Sequence, residues 1–223
     1  MPIQVQGNGG VTADVDGTVY RAMRMTPRPT DYGALGHYRL STTVALVVTQ
    51  AANGTLFAFR WGDATRLCVL LELRMAALQT AAATATIMPV FRAFLALGGS
   101  YTVSDSAGSA ITLTTNSFKK RQSMGTTLVT DIRKSTVAAG LTAGTRTLNS
   151  EPILELPTQQ TITTPNNTLY SASILDGVGD GEHPIAVFAQ NEGFVIQGPT
   201  VIFGAAGTMG LSVDMTWAEV TAY

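Results

Sequence analysis

From Leu211 to Trp217 apolar and polar residues alternate without a break. Successive side chains of a strand point to opposite faces, so Leu211, Val213, Met215 and Trp217 share one face, and Ser212, Asp214 and Thr216 the other. This spacing predicts a long strand laid against a core. The same period recurs elsewhere: it buries Phe57, Phe59 and Trp61 together and leaves Arg60 outside. Between Leu67 and Gln79, Val69, Leu71, Leu73 and Met75 alternate with Cys68, Leu70, Glu72 and Arg74, which predicts a strand although Leu, Met and Ala also suit a helix. Pro89 would break a helix over 84–97 and is compatible with an edge strand. Phe188 and Gly193 to Gln197 read as short strands bracketing a turn at Asn191-Glu192.

Turn signals punctuate these runs: Asn53-Gly54, Gly98-Gly99, Asp105 to Gly108, Gly140, Gly144, Pro165 to Asn167, Gly177 to Gly181, Gly198-Pro199 and Gly204 to Gly207. Such spacing belongs to a sandwich or barrel. Thr, frequent in short alternating runs, suits half-buried strands better than helices. No tandem repeat is visible, and 223 residues suffice for one large all-β domain with appendages. Residues 1–35 differ, because Gly7, Gly9, Gly10, Gly17, Pro27, Pro29 and Gly33 leave little room for a core. They read as an extended N-terminal arm preceding a β-domain over 36–223. Tyr20, Arg21, Met23, Arg24, Met25 and Arg28 mix apolar with basic side chains and are the candidate partner-binding residues. An arm without its own core gains stability by lying across another subunit; a hairpin folded onto its own domain is the alternative.

Charge removes several function classes. The chain has a net charge of −1 with only 13% charged residues, against about 25% in average soluble proteins. A near-neutral chain offers no broad footprint for nucleic acid or an anionic membrane. Its apolar runs are broken by Glu72, Pro89 and Arg92, short of the roughly 18 residues of a membrane helix. No secretory signal is read at the start, so the chain is expected to stay where it is made or be built into something there.

The residues that could carry chemistry are few. A single cysteine, Cys68, and two histidines, His37 and His183, provide neither an internal disulfide nor zinc-ligand spacing. Cys68 with His183 as base could form a nucleophilic pair, but its flanks, Arg66-Leu67 and Val69-Leu70, read as strand interior, which makes it a small buried hydrophobe. Asp176 to His183 superficially follows a calcium loop and fails its template, with Val178 at the third position and Val187 at the twelfth. Asp14 and Asp16 can face one side but lack an acid partner of altered environment. Gly7-x-Gly9-Gly10 and Gly177-x-Gly179-x-Gly181 lack the Lys-Ser/Thr of a phosphate loop. Lys119-Lys120-Arg121 beside Phe118 is the only basic run, too small for a nucleic-acid patch. Ser41 and Ser123 lack a nucleophile elbow. No metal, cofactor or catalytic residue is expected, and Asp63 with Arg66 is read as a local ion pair.

Four segments carry a family resemblance: Asp31-Tyr32-Gly33 with Leu35 to Leu40, Phe59-Arg60-Trp61 with Asp63 to Leu67, Arg121 with Ser123 to Thr126 and Leu128, and Gln190 to Phe194. Together they resemble a family of tailed-bacteriophage virion structural proteins, and the likeness runs through most of the chain. The resemblance implies a virion component and no catalytic residues. The resulting expectation is a jelly-roll-like β-sandwich acting as a capsid decoration, or cement, protein. It would assemble in the bacterial host cytoplasm, bind the major capsid protein at the capsid surface as a homo-trimer, and clamp neighbouring subunits with its arm. A tail, neck or fibre-base protein and a carbohydrate-binding receptor module are the alternatives. Phe59-Arg60-Trp61 has the residue types of an interface anchor, although alternation places Trp61 in the core.

Overall fold

The computed structural model describes residues 4–6, 12–14, 36–46, 51–136, 140–162, 168–175, 184–200 and 208–221. Within the predicted arm, β1 (Gln4–Gln6) and β2 (Thr12–Asp14) pair antiparallel as a separate two-stranded sheet. The rest of 1–35 lies outside the described residues.

The domain that follows is an all-β sandwich. Its strands are β3 (His37–Leu46), β4 (Thr55–Trp61), β5 (Leu67–Ala81), β6 (Val90–Ala96), β7 (Ser109–Ala110), β8 (Asp131–Lys134), β9 (Leu154–Pro157), β10 (Tyr170–Leu175), β11 (Ala186–Phe188), β12 (Glu192–Gln197) and β13 (Thr208–Val220). One sheet runs β10-β5-β13-β3, with β11 sharing the β10 edge of β5, and the other runs β7-β8-β4-β12-β6-β9. Leaving aside β7 and β8, the strands pair from the outside in. β3 joins β13, β4 joins β12, β5 joins β10 and β11, and β6 joins β9, all antiparallel. That nesting is the wiring of a jelly roll, a double-sheet solution to the edge-strand problem.

The alternation read in the sequence places the core. Leu211, Val213, Met215 and Trp217 of β13 are buried, as are Phe57, Phe59 and Trp61 of β4. The segment from Leu67 is a strand, and Pro89 sits immediately before β6. β6 is an interior strand, between β12 and β9. The Pro89 carbonyl accepts both the backbone N–H and the hydroxyl of Thr158, each at 2.9 Å, so the proline disturbs no ladder. β5 departs from simple alternation. Its pairing with β13 shifts between Thr216 and Trp217, leaving Leu71 without an opposite residue. A bulge of one residue reverses the phase of a strand. Leu73 and Met75 therefore share the main core with Leu70 and Cys68, while Val69 joins Ala218 and Val220 in a separate small cluster.

The long connection from β6 to β9 builds an additional layer. It contributes β7 and β8 to the six-stranded sheet, and its Tyr101 and Leu141 pack against Ala58, Ala96 and Val195. Those residues alternate with the core residues Phe59, Leu95 and Phe194, so they occupy the outer face. Asp105 and Arg146 pin this layer with a buried ion pair, their side chains 0% and 4% exposed. The same Asp105 oxygen accepts the Tyr101 hydroxyl at 2.8 Å and the Gly144 N–H at 2.9 Å. Arg146 also donates to the Thr55 hydroxyl at 2.8 Å and lies 5.1 Å from the Tyr101 ring centre. Gly144 has to be glycine, since a Cβ there would run into the Val103 carbonyl oxygen.

Breaking one partner of a buried pair strands the other charge, at a cost of about 3–5 kcal/mol, whereas an exposed pair contributes about 0–1 kcal/mol. Denaturant titration is therefore expected to show a large loss for Asp105→Ala. A loss of no more than about 1 kcal/mol is expected for Glu155→Ala, which breaks the surface pair of Arg92 and Glu155 at 2.8 Å.

Candidate functional site

The six arm residues, Tyr20, Arg21, Met23, Arg24, Met25 and Arg28, lie outside the described residues, as do Asp16, the Asp176 to His183 cluster and the Gly7 to Gly10 turn. Cys68 is 0% exposed. Burial, and secondarily the charge of Glu219, hold its thiol well above its ordinary pKa, the opposite of what an activated nucleophile needs. Among the described residues, no three His, Cys, Asp or Glu side chains gather as a metal site.

The structure decides two local readings: the core placement of Phe59 and Trp61 holds, and the Asp63–Arg66 ion pair is corrected. Phe59 and Trp61 are both fully buried, so the Phe59-Arg60-Trp61 run is not an exposed anchor. Arg60 faces outward as expected, but the added layer takes it up: it donates to the Tyr101 carbonyl and to Asn191 Oδ1, both at 2.6 Å, and lies 3.6 Å from Asp131. Asp63 does not ion-pair with Arg66. Its Oδ1 accepts the backbone N–H groups of Thr65 and Arg66 at 2.8 and 2.9 Å and the Thr65 hydroxyl at 2.9 Å, closing a side-chain-capped turn. Those bonds hold its carboxyl below the usual range.

Two titratable groups, Glu219 buried and His37 half-buried, stand at the end of the sheet where β3 begins. Glu219 lies opposite Cys68 and is 1% exposed. Its carboxylate accepts the Thr127 hydroxyl, the Leu128 N–H at 3.0 Å and the Trp217 indole N–H at 3.3 Å. All three partners are donors, so this carboxylate ties the 127–129 segment to the sheet. Burial nevertheless raises its pKa, with the hydrogen bonds opposing. On β3, burial and then the charge of Lys120 push His37 down to about 4.

A concavity opens on the outer face of the sheet formed by β3, β13 and β5. It has a volume of about 470 Å³ and is lined by Arg39, Ser41, Glu72, Ser117, Phe118, Asp214 and Thr216, with Leu40 and Met215 contributing at its floor. Antiparallel register sets these side chains in rows. Arg39, Thr216 and Glu72 lie across one row, and Ser41, Asp214 and Arg74 across the next. The Thr216 hydroxyl donates to Glu72 at 3.2 Å. A 3-10 turn, Asn116–Phe118, closes one side. It is held beside β3 by the bridge of Lys119 to Tyr38 and by the Lys120 N–H donating to the His37 carbonyl at 3.0 Å. The basic run Lys119-Lys120-Arg121 is thus a brace for the cleft wall. The cleft offers donors and acceptors on a rigid sheet; among the described residues, those lining it beside the hydroxyls of Ser41, Ser117 and Thr216 include no histidine. Sequence reading missed it because the residues belong to three strands. The signal was the polar phase of the alternation that located the core.

The His37 shift sets a pH dependence. Folded His37 stays neutral down to about pH 4, whereas the unfolded chain takes up this proton near 6.5. The unfolded state thus binds more protons in that window, and stability contributed here is present above it and lost as pH falls through it. Glu219, raised in the folded state, acts in the opposite sense, losing stability as pH rises above about 4.5. The difference in denaturation midpoint between the wild type and His37→Gln isolates the first effect. It is expected to shift in favour of His37→Gln as pH is lowered from 7 to 4; a difference independent of pH would refute the assignment. No family model matches the chain, and neither does any curated protein or solved structure.

Proposed function

We propose that this chain is a non-enzymatic structural protein of a tailed-phage virion, a decoration protein that binds the major capsid protein and stabilises the assembled head as a trimer. The observation that carries the reading is the union of jelly-roll wiring, which viral capsid domains use, with apolar side chains left exposed at one end. Met88 is 73% exposed, Leu169 61%, Ile162 51% and Leu78 37%. The strand register sets them in two pairs. Ile87, next to Met88, bridges Gln160, close to Ile162, and Tyr170, next to Leu169, pairs with Ala77 beside Leu78. Apolar groups concentrated in this way mark surfaces that meet a partner. The resemblance of the four sequence segments to phage structural proteins supports the same reading.

The mechanism is binding by mass action. A protein that binds only the assembled lattice stabilises it by RT ln(1 + [L]/Kd), about 2.7 kcal/mol at a hundredfold excess over Kd. Several copies on one lattice add avidity. The arm residues Tyr20, Arg21, Met23, Arg24, Met25 and Arg28 would extend the contact to a neighbouring subunit.

Antibody-fragment labelling of purified particles, imaged by electron microscopy, is expected to place the chain regularly over the head. Label at one vertex or on the tail would favour a tail or neck protein, and absence from particles would overturn the virion reading. Deleting residues 1–30 is expected to leave a folded domain that no longer occupies heads. The double variant Met88→Asp, Ile162→Asp is expected to lower head occupancy at least tenfold, with the denaturation midpoint unchanged.

A further inference from the structure

We propose that the cleft between β3, β13 and the 3-10 turn is a saccharide-binding site. Its volume, about 470 Å³, falls within the roughly 300–1,000 Å³ of small-molecule sites. Arg39 and Asp214 line the same concavity, yet the salt bridges among the described residues join neither of them to a partner. Glu72 accepts only the Thr216 hydroxyl.

The mixture of charges selects the ligand class. An anion entering the cleft meets Glu72 and Asp214, and a cation meets Arg39. A neutral polyhydroxyl ligand satisfies all three, because each hydroxyl both donates and accepts. Carboxylates accept from its O–H groups, and the guanidinium and the hydroxyls of Ser41 and Ser117 donate to its oxygens. Phe118 lines the cleft and packs partly against the main core, and the part of its ring left outside offers an apolar surface for the C–H face of a pyranose ring. It reaches the cleft from the 3-10 turn rather than from the sheet.

The scaffold favours recognition over accident. Arg39, Ser41, Glu72, Asp214 and Thr216 stand on three hydrogen-bonded strands whose register fixes their spacing. Sites on strands hold geometry better than sites on loops. Arg74, which neighbours Asp214 in register but lies outside the cleft lining, provides an internal control.

The site is independent of where the protein sits in a virion, so its test is separate. Saturation-transfer NMR on the full chain, with a panel of common hexoses and N-acetylhexosamines followed by a glycan array, is expected to yield at least one binder. For that saccharide, Asp214→Ala and Arg39→Ala are expected each to weaken binding at least tenfold, and Arg74→Ala to change it less than twofold. Thermal denaturation of the variants should match the wild type, which separates lost recognition from lost folding. No binder in either screen, or binding indifferent to both cleft variants, would overturn the proposal. Binding of free amino acids in place of saccharides would do so as well, since a zwitterion also spans Arg39 and Asp214.

Discussion

The two sheets meet through Phe59. Its ring centre lies 5.5 Å from Phe194 within its own sheet, 5.9 Å from Phe188 and 6.0 Å from Trp217 on the facing sheet. Tyr38 continues the stack, 5.6 Å from Trp217. Aromatic pairs contribute about 0.5–1.5 kcal/mol beyond the area they bury. More important here is that the cluster draws one residue from each of β3, β4, β11, β12 and β13. Those strands include members of both sheets, so the rings set how the sheets face each other and hence which phase of each strand is turned outward. The polar cleft follows from that choice: Arg39, Glu72 and Asp214 are what remains once Tyr38, Leu73 and Met215 have turned inward.

The opposite face of the sandwich is finished differently. Small residues, Ala58 and Ala96, leave the outside of the six-stranded sheet flat enough for Tyr101 and Leu141 to lie against it. Apolar contact alone would allow this layer to slide. Asp105 gathers Arg146, Tyr101 and Gly144 onto one oxygen, and Arg60 grips the same segment at Tyr101. Buried polar networks of this kind are directional where apolar contact is not. Among the described residues, the result is one face covered by the chain itself and one that presents polar side chains.

The parts legible in the sequence were those set by local period. The strand from Leu67, the C-terminal strand, the buried Phe57, Phe59 and Trp61, and the inert Cys68 follow from alternation and composition. The bulge at Leu71 did not, because both phases of β5 are apolar there and pairing with β13 decides which residue is skipped. The Asp63 turn was misread because a carboxylate two or three residues from free N–H groups bonds to backbone more readily than to a long, solvated side chain. The Asp105 and Arg146 pair, 41 residues apart, has no local signature at all. Neither has the cleft, whose Arg39 and Asp214 come together only through the ladder between β3 and β13.

That ladder also fixes when the domain can form. β13 lies between β3 and β5, so two strands made early have no common neighbour until Thr208 to Val220 have been synthesised. Contacts this distant in sequence slow folding, because loop closure must precede the bonds that reward it. At about 5–20 residues per second, the nascent chain spends several seconds with the facing edges of β3 and β5 unpaired. A chain whose strand edges wait in this way is exposed to mispairing during synthesis.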